Sequence, residues 1–272
     1  MNKERLDILM VRKGLCDSRE KAKSLIMAGV VFVNGEPANK AGSSYPAEAA
    51  IEVRENPNPY VSRGGLKLEK AINYFNIDLK GKTVLDVGAS TGGFTDCMLK
   101  HGAARVIAVD VGYGQLAWQL RNDERVINLE RTNIRYLKPE DINMAVDFAT
   151  IDVSFISLKK VLPVVYTLLD KEAGEVLCLV KPQFEAGREK VGKRGVVKDI
   201  NVHRQVVEDI VDFAINSGYR FEGVTYSPIK GPEGNIEYFC HLSVTGSNAP
   251  FKNISALIEQ TVKSSHEELN SK

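Results

Sequence analysis

Two acidic residues, each at the end of an apolar run, are the first candidates for chemistry. Asp86 lies in LDVGASTGGFTD at residues 85–96, and Asp110 ends a second apolar run in VIAVDVG. Glycines after a strand let the backbone approach a ligand closely, and an acid after the next strand can accept hydrogen bonds from both hydroxyls of a ribose. Two acids suit a ligand with a ribose, an adenine and a cationic amino-acid tail. The pattern therefore favours S-adenosylmethionine as the cofactor.

Other nucleotide sites fit this loop less well. The order Gly88-Ala-Ser-Thr-Gly92-Gly93 does not match the dinucleotide fingerprint G-x-G-x-x-G, and there is no G-K-[ST] of a phosphate-binding loop. The loop also has no cation to meet a pyrophosphate. A glycine-rich turn alone occurs in many α/β folds, and Asp110 could simply cap a helix. The cofactor interpretation therefore depends on both acids together.

Alternating strand and helix patterns from Ser62 onward must position these residues. The predicted strands cover residues 84–87, 105–109, 126–129, 148–152 and 176–180, and the predicted helices 63–75, 93–101, 114–121, 157–169 and 201–217. This alternation indicates an α/β fold, a parallel sheet with helices on both faces. Two late strand patterns, 220–227 and 236–244, predict an antiparallel hairpin at the sheet edge, which gives seven strands in all.

The first part of the chain has a different pattern. Residues 5–55 predict a helix that stops at Gly14, a second helix from the Asp17–Ser18 cap through Ala28, and strands around an Asn-Gly turn and at 51–53. Two prolines and two asparagines in RENPNPY then predict a linker. We expect a small α+β domain at residues 1–55, a linker at 56–61 and the large domain at 62–272.

Bulk composition limits the function classes. A net charge of +1 provides no global signal for nucleic acid, so any such signal must be local. The four cysteines are far apart, which argues against both a metal centre and a disulfide framework, and Cys178 and Cys240 lie in apolar runs that predict buried thiols. The charged N-terminus does not fit a signal peptide, and no apolar run approaches the ~18 residues of a membrane span. We expect a cytoplasmic protein.

Six motifs together resemble one family over nearly the whole chain. RLD…GLCDSREKAKSLIMAGVVFVNG is similar to an S4 RNA-binding module, and DVGASTGGFTD resembles the first cofactor motif of FtsJ-like ribose 2′-O-methyltransferases. SRGGLKLEKA, TIDVSFISL, LVKPQFEAG and GPEGNIEYF follow in the order of the TlyA family, in which an S4 module precedes such a domain. The resemblance implies a Rossmann-like methyltransferase domain that modifies ribosomal RNA, with a cytidine 2′-hydroxyl as the usual target.

The cofactor residues follow from the loop and from this resemblance. They are Asp86, Gly88, Ala89, Ser90, Gly92, Gly93, Phe94, Asp110, Asn133 and Asp152. The family often has an aspartate on the third strand that hydrogen-bonds the adenine amine, and Asn133 falls at that position with a weaker acceptor oxygen. Phe94 would pack on the cofactor, or it would equally serve as a helix residue that faces the sheet.

Four residues are candidates for catalysis. Asp152 ends the fourth predicted strand and Lys181 the fifth, so topology alone brings them together at the carboxyl edge of the sheet. The resemblance adds Lys67 and Glu237, which complete a Lys-Asp-Lys-Glu tetrad. Lys181 would orient and activate a ribose 2′-hydroxyl, and the other three would hold Lys181 and the ribose in line. Without the resemblance, Lys67 and Glu237 would be interpreted as ordinary surface ion pairs.

Two local clusters of cations predict RNA contacts. The helix pair near the N-terminus has five cations and two acids between Arg12 and Lys23, and residues 181–198 have six cations and two acids with three glycines. The second cluster predicts a mobile loop that clamps phosphates, with Phe184 either stacked on a flipped base or anchoring the loop. The RNA-binding candidates are Arg5, Arg12, Ser18, Arg19, Lys21, Lys23, Arg63, Arg188, Lys190, Lys193 and Arg194.

Three rival functions remain open at this point. A membrane-active haemolysin, a label that the family has carried, needs an amphipathic or spanning segment, and none is evident. An RNA-binding protein with an inert methyltransferase domain is at odds with the complete tetrad. A base methyltransferase would need a strand-end motif such as N-P-P-[FY], whereas Asp152-Val-Ser-Phe155 begins with an acid. We expect a monomer that binds ribosomal RNA and no metal.

Overall fold

The structure is a computed structural model that describes residues 3–27, 29–38, 40–54, 58–231, 233–245 and 253–270. The chain forms two units, Met1–Arg63 and Gly64–Lys272, which are described separately below. Residues 56 and 57 of the predicted linker lie outside the described residues, as does Ala28, the predicted end of the second helix.

The first unit contains two short helices and two small sheets. Its elements are β1 (Lys3–Arg5), α1 (Leu6–Arg12), α2 (Arg19–Met27), β2 (Val31–Val33), β3 (Glu36–Pro37), β4 (Ser44–Pro46) and β5 (Ile51–Val53). β1 pairs with β4, and β2 lies between β3 and β5, with all pairs antiparallel. Asn34 and Gly35 both have positive φ, as the predicted turn between β2 and β3 requires.

Amphipathic spacing builds the core of this unit. Leu6 and Met10 lie one turn apart on α1, Ala22 and Ile26 lie one turn apart on α2, and these buried side chains belong to one cluster with Val31. The Ser18 hydroxyl accepts the Lys21 N–H at 3.1 Å and caps α2. The cap predicted from the sequence is confirmed.

The second unit is built around a seven-stranded sheet. Its strands are β6 (Thr83–Val87), β7 (Arg105–Val109), β8 (Val126–Leu129), β9 (Phe148–Ile151), β10 (Glu175–Val180), β11 (Arg220–Tyr226) and β12 (Tyr238–Ser243). Its helices are α3 (Gly64–Phe75), α4 (Gly93–Lys100), α5 (Trp118–Arg121), α6 (Pro139–Ile142), α7 (Leu162–Leu168), α8 (Pro182–Glu185), α9 (Ile200–Asn216) and α10 (Ile254–Asn270).

The order of the strands explains where a ligand can bind. They lie in the order β11-β12-β10-β9-β6-β7-β8, and those from β10 to β8 are parallel. The first strand of the sheet along the chain, β6, lies in its interior. The next two strands, β7 and β8, are added on one side of β6, and β9 is added on the other side, so the topology switches beside β6. In such sheets a ligand binds outside the carboxyl ends at the switch point. The predicted α/β class and the edge hairpin of β11 and β12 are confirmed.

Two strands of this sheet, β9 and β12, are covered on both faces. Every residue of β9 and β12 is buried, as expected for strands that bury consecutive side chains rather than alternate ones. Cys178 and Cys240 are opposite neighbours on β10 and β12 and both are fully buried, as predicted from their apolar surroundings.

Three predictions differ from the structure. Within the predicted helix 114–121 only Trp118–Arg121 is helical, because Gly114 has a positive φ and the preceding segment forms a loop. The predicted helix 157–169 is divided into a 3-10 turn at Leu158–Lys160 and α7, which begins next to Pro163. The helix α10 was not predicted. Among the described residues, no helix is both long enough and apolar enough to span a bilayer.

Candidate active site

The loop after β6 requires a glycine at position 88. Gly88 has a φ of +87°, and a Cβ atom there would lie 2.5 Å from the backbone oxygen of Asp152. The Gly88 N–H donates to Val109 O at 2.8 Å, which ties the loop to the end of β7. The end of β9 therefore occupies the space that a side chain would need, so only glycine fits at position 88, and Gly88 also lines the cavity described below. The close approach of a cofactor to this loop stays a prediction.

Asp110 is fixed at the end of β7 by two backbone groups. Its Oδ2 accepts the Ser90 N–H at 2.8 Å, and its Oδ1 accepts the Gly112 N–H at 2.7 Å. Each carboxylate oxygen has two lone pairs, so both can accept a further hydrogen bond. The arrangement positions a carboxylate that could receive two hydroxyl donors, as a ribose would supply.

A cavity of about 710 Å³ opens along the carboxyl ends of β6, β7 and β9. Its volume falls in the range usual for small-molecule and cofactor sites. The predicted cofactor residues that line it are Gly88, Ser90, Asp110, Asn133 and Asp152. The Gly88 peptide, the carboxylates at two strand ends and apolar side chains such as Ile134 line this cavity, and they match the polar and apolar groups of S-adenosylmethionine. The residues present therefore fit this cofactor.

The other predicted cofactor residues lie outside the cavity lining. They are Asp86, Ala89, Gly92, Gly93 and Phe94. Phe94 is buried, and its ring centroid lies 6.1 Å from that of Phe239 in β12, so it takes the sheet-facing one of its two predicted placements.

Asp86 stands behind the glycine loop rather than in the cavity. It is fully buried and accepts hydrogen bonds from Thr95 Oγ1 at 2.6 Å and Thr150 Oγ1 at 3.1 Å. Burial disfavours the charged carboxylate and raises the pKa of Asp86 to about 6, although both threonines act in the opposite direction. Its structural role is to join the start of α4 to β9.

The Asn133 side chain is already engaged. Its Oδ1 accepts the Arg135 N–H at 3.1 Å and the Arg135 Nε–H at 3.2 Å, which caps the 3-10 turn at Ile134–Tyr136. These two donors occupy the usual capacity of an amide oxygen. The expected contact between this oxygen and an adenine amine would therefore require a rearrangement of Arg135.

Lys181 and Asp152 meet at the adjoining ends of β10 and β9. Lys181 Nζ lies 2.5 Å from Asp152 Oδ1 and donates to Ser154 Oγ at 3.2 Å. The Lys181 side chain is 10% exposed and that of Asp152 20%. Asp152 Oδ1 is buried and is in ionic contact with Lys181, but it receives no well-directed hydrogen bond from a described residue. The topology alone had predicted this pair.

Lys67 and Glu237 form a second, deeper ion pair. Lys67 Nζ lies 2.6 Å from Glu237 Oε2, and the two side chains are 10% and 1% exposed. Buried charges of this kind are paired because an isolated one is costly. Lys67 comes from the buried face of α3, and Glu237 directly precedes β12. The surface ion pair that the residues alone would suggest is therefore wrong for both.

The register of the sheet relates the two pairs. Val180 of β10 is the partner of Tyr238 in the antiparallel β12, so Lys181 and Glu237 follow and precede one matched pair. Asp152 directly follows β9, which is parallel to β10. All four predicted catalytic residues therefore form ion pairs, one buried and one largely buried, and three of the four lie at one edge of the sheet.

The sequence gives no indication that Phe155 presents an exposed aromatic ring in the cavity lining. Phe155 is 91% exposed, has a positive φ of 63° and lines the cavity. Its ring centroid lies 4.9 Å from that of Phe184, which is also in the lining. The Phe155 in the motif Asp152-Val-Ser-Phe155 was noted, but strain in the backbone of a bulky residue cannot be read from its type.

The glycine-rich basic segment after β10 has a defined path. Its predicted RNA-binding residues Arg188, Lys190, Lys193 and Arg194 are all exposed, and they form no ion pair within the described part of the chain. The Gly192 N–H donates to Val196 O at 3.1 Å, which closes a turn within the segment. Its predicted mobility stays a prediction.

A buried aspartate that was not singled out organises the cations of the first unit. Asp7 is fully buried and accepts hydrogen bonds from Arg5 Nε at 3.0 Å and Arg19 Nη2 at 2.8 Å. The two guanidinium groups hold the pKa of Asp7 far below its ordinary range, against the opposing effect of burial. Arg5 and Arg19 therefore have a structural partner, although their side chains remain 47% and 51% exposed.

The remaining RNA-binding candidates are less constrained. Arg12 pairs with Glu4 at 2.9 Å, and Lys23 lies 3.8 Å from Glu20. Lys21 and Arg63 are exposed, whereas Ser18 uses its hydroxyl as the cap of α2. Lys21 and Lys23 thus present charge to solvent with little competition from within the unit.

Comparison with known proteins identifies both parts of the chain. The family model of FtsJ-like methyltransferases matches residues 60–244, and that of the S4 domain matches residues 4–48. The chain is 50% identical to the Bacillus subtilis protein YqxC over 96% of its own length and 95% of that protein. It is 47% identical to the 16S/23S rRNA (cytidine-2′-O)-methyltransferase TlyA of Mycobacterium tuberculosis, with coverage of 88% and 89%.

A solved structure agrees with these sequence relatives. A Streptococcus thermophilus protein described as a hemolysin is 44% identical and has a TM-score of 0.78, with coverage of 100% of this chain and 98% of that one. Since the FtsJ-like match spans more than half of the chain and the relatives match along most of it, the chain belongs to the TlyA family of FtsJ-like methyltransferases.

Proposed function

We propose that this protein transfers a methyl group from S-adenosylmethionine to the 2′-oxygen of a cytidine ribose in ribosomal RNA. The observation that carries the proposal is the Lys181–Asp152 pair, which stands at the strand ends beside the cavity that fits the cofactor. The relative from Mycobacterium tuberculosis that shares 47% identity is named for this activity on 16S and 23S rRNA. The 16S and 23S substrates are part of the proposal.

The cofactor would be held by Gly88 and Asp110. Gly88 lines the cavity and would contact the amino-acid end of the ligand, and the Asp110 carboxylate would accept hydrogen bonds from the ribose hydroxyls. When bound, S-adenosylmethionine supplies a methyl group on a positively charged sulfonium. Asp152 contributes a negative charge at the same edge of the cavity.

Lys181 would position and activate the target hydroxyl. Its Nζ is held from two sides, by Asp152 at 2.5 Å and by Ser154 Oγ at 3.2 Å, so it cannot swing freely. A fixed amine can hydrogen-bond the 2′-oxygen and orient it for in-line attack, and such alignment supplies several kcal/mol of a barrier. The Lys67–Glu237 pair fixes the start of β12, which is the strand next to the end of β10 that carries Lys181.

RNA would be held by the first unit and by the basic segment after β10. The S4 match at residues 4–48, the exposed Lys21 and the half-buried Lys23 support the first contact. Phe155 and Phe184 offer an aromatic surface beside Lys181 on which an unstacked base could lie. We place the domains at 1–55 and 62–272. The protein would act in the cytoplasm as a monomer, and the proposed chemistry relies on side chains rather than on a metal ion.

The experiment is a single-turnover methyl transfer with labelled S-adenosylmethionine. The substrates are free 16S and 23S rRNA and the isolated ribosomal subunits, and mass spectrometry locates the modified nucleotide. The proposal expects a 2′-O-methylcytidine whose formation is lost with Lys181→Ala. A methylated base instead of a ribose, or no transfer to any of these substrates, would contradict it. Liposome leakage measured on the same preparation tests the membrane activity that the name hemolysin suggests.

A further inference from the structure

Both ends of the basic segment are fixed by buried polar groups. At its start, the Glu185 carboxylate accepts hydrogen bonds from Ser157 Oγ at 2.6 Å and from the Leu158 N–H at 2.8 Å. At its end, Val197 is 3% exposed, and its backbone N–H and C=O are both bonded to side chains. The exposed cations lie between these two anchors.

The anchor at Val197 consists of Asn235 and His203. Asn235 Oδ1 accepts the Val197 N–H at 3.0 Å, and its Nδ2 donates to Gly195 O at 2.9 Å. His203 Nε2 lies 2.9 Å from Val197 O, which can only accept, so Nε2 carries the hydrogen. Burial lowers the pKa of His203 to about 4, so at neutral pH its Nδ1 is an acceptor.

The same two side chains are tied to both sides of Glu237. Asn235 precedes Glu237 by two residues, and its amide is 2% exposed. His203 Nδ1 lies 2.8 Å from the hydroxyl of Tyr238, the residue after Glu237, which therefore donates to it. Tyr238 is fully buried. The chain on either side of Glu237 is thus bonded, through Asn235 and through His203, to the backbone of one residue of the basic segment, Val197.

We propose that Asn235 is a positioning residue that couples the basic segment to the Lys67–Glu237 pair. The inference rests on the proposed function. When RNA phosphates bind the segment and shift Val197, the shift is transmitted to Asn235 and His203. Through these two side chains it reaches the backbone that carries Glu237. We call the contacts of Asn235 and His203 with Val197 the clamp. Conversely, the clamp holds the cations of the basic segment at a fixed position relative to the catalytic strand ends. Asn235 touches neither substrate nor cofactor in this account.

The clamp makes Asn235 distinct from a residue that merely stabilises the fold. Loss of its amide removes the bonds to the Val197 N–H and to Gly195 O and leaves His203 as the remaining anchor of Val197. A misplacement of about 1 Å near a reacting centre can cost on the order of 10²-fold in rate. The cations that bind RNA would still be present. We therefore expect Asn235→Ala to lower kcat about 10²-fold while RNA affinity and cofactor affinity stay close to those of the wild type.

The test compares Asn235→Ala with Asn235→Asp and with Tyr219→Phe in the full chain. Asn235→Asp keeps the acceptor for the Val197 N–H but loses the donor to Gly195, so its kcat should fall between wild type and Asn235→Ala. Tyr219→Phe removes another buried hydrogen bond, from the Tyr219 hydroxyl to Leu162 O at 2.8 Å, away from the clamp, and controls for lost stability. Single-turnover rates, RNA binding and melting temperature are measured for each.

Trypsin provides a readout that needs no catalysis. The segment contains Arg188, Lys190, Lys193 and Arg194, and Asn235→Ala should speed cleavage there about tenfold while Tyr219→Phe leaves it unchanged. Unchanged kcat in Asn235→Ala, or an equal loss in Tyr219→Phe at the same melting temperature, would overturn the coupling. A wild-type protein that transfers no methyl group overturns the proposed function instead, and faster cleavage alone then still supports the clamp.

Discussion

Asp7 should be the main electrostatic support of the first unit. We expect Asp7→Asn to lower the unfolding free energy of this unit, although Asp7 is far in sequence from the four candidate catalytic residues. The carboxylate accepts hydrogen bonds from Arg5, Arg19 and the Ile8 N–H, and it is fully buried. An asparagine of similar size keeps the volume but cannot accept all of these donors, and it leaves two guanidinium groups without a counter-charge.

The expected magnitude follows from these contacts. Breaking a buried ion pair costs about 3–5 kcal/mol when both partners are buried. Here the arginine side chains are 47% and 51% exposed, so water replaces part of the lost interaction and the cost is reduced. A loss of roughly 2 kcal/mol in unfolding free energy is therefore expected, in line with one or two charge-assisted hydrogen bonds.

Hydrogen exchange in the full chain measures this loss locally. A loss of about 2 kcal/mol corresponds to roughly 30-fold faster exchange of the amides of α1 and α2. Amides of β9 and β10 in the second unit should be unaffected. Asp17→Asn serves as the control, because Asp17 is an exposed acid of the same unit. Equal exchange in Asp7→Asn and Asp17→Asn would show that the buried carboxylate does not support the unit.

Three further outcomes follow from the structure. Acid should destabilise the first unit, because the lowered pKa of Asp7 gives stability that is present above about pH 4 and is lost as pH falls toward the pKa of the folded state. Hydrogen exchange measured as a function of pH in the wild type and in Asp7→Asn checks this. The raised pKa of Asp86, about 6, means that the folded state holds a proton longer, so the urea midpoint should decline from pH 4 to 6, and Asp86→Asn should abolish that decline. Asp110→Ala should weaken S-adenosylmethionine binding roughly 10- to 100-fold, since two hydrogen bonds to a charged acceptor are lost, and calorimetric titration showing wild-type affinity would refute the assignment.

Periodicity was sufficient to predict most of the second unit. The strand ends at Asp110, Asp152 and Lys181 follow from apolar runs that stop at a charge, and parallel topology brings such ends to one edge. The helix predicted at 114–121 is shorter because Gly114 takes a positive φ that a helix cannot include. α10 contains apolar residues at Ile258 and Val262, one turn apart, but its many polar residues mask that spacing.

Side-chain partners are what the sequence could not provide. The pairing of Lys67 with Glu237 spans 170 residues, and only the resemblance to the family pointed to it. Arg19 was expected to face phosphates, and nothing in its spacing reveals that Asp7, twelve residues earlier, holds it. Phe94 shows the same limit, because a ring in the first turn of α4 can face either the cofactor or the sheet. These choices depend on packing between distant segments rather than on local pattern.

The most direct test of the central claim compares Lys181→Ala with Lys21→Ala/Lys23→Ala. Filter binding across a salt series and single-turnover methyl transfer are measured on the same ribosomal RNA. Lys181→Ala should retain RNA and cofactor binding while methyl transfer collapses. The double variant should weaken RNA binding and lower the log–log salt slope by roughly one unit per lost phosphate contact, with cofactor affinity unchanged. Near-normal turnover by Lys181→Ala would contradict the account.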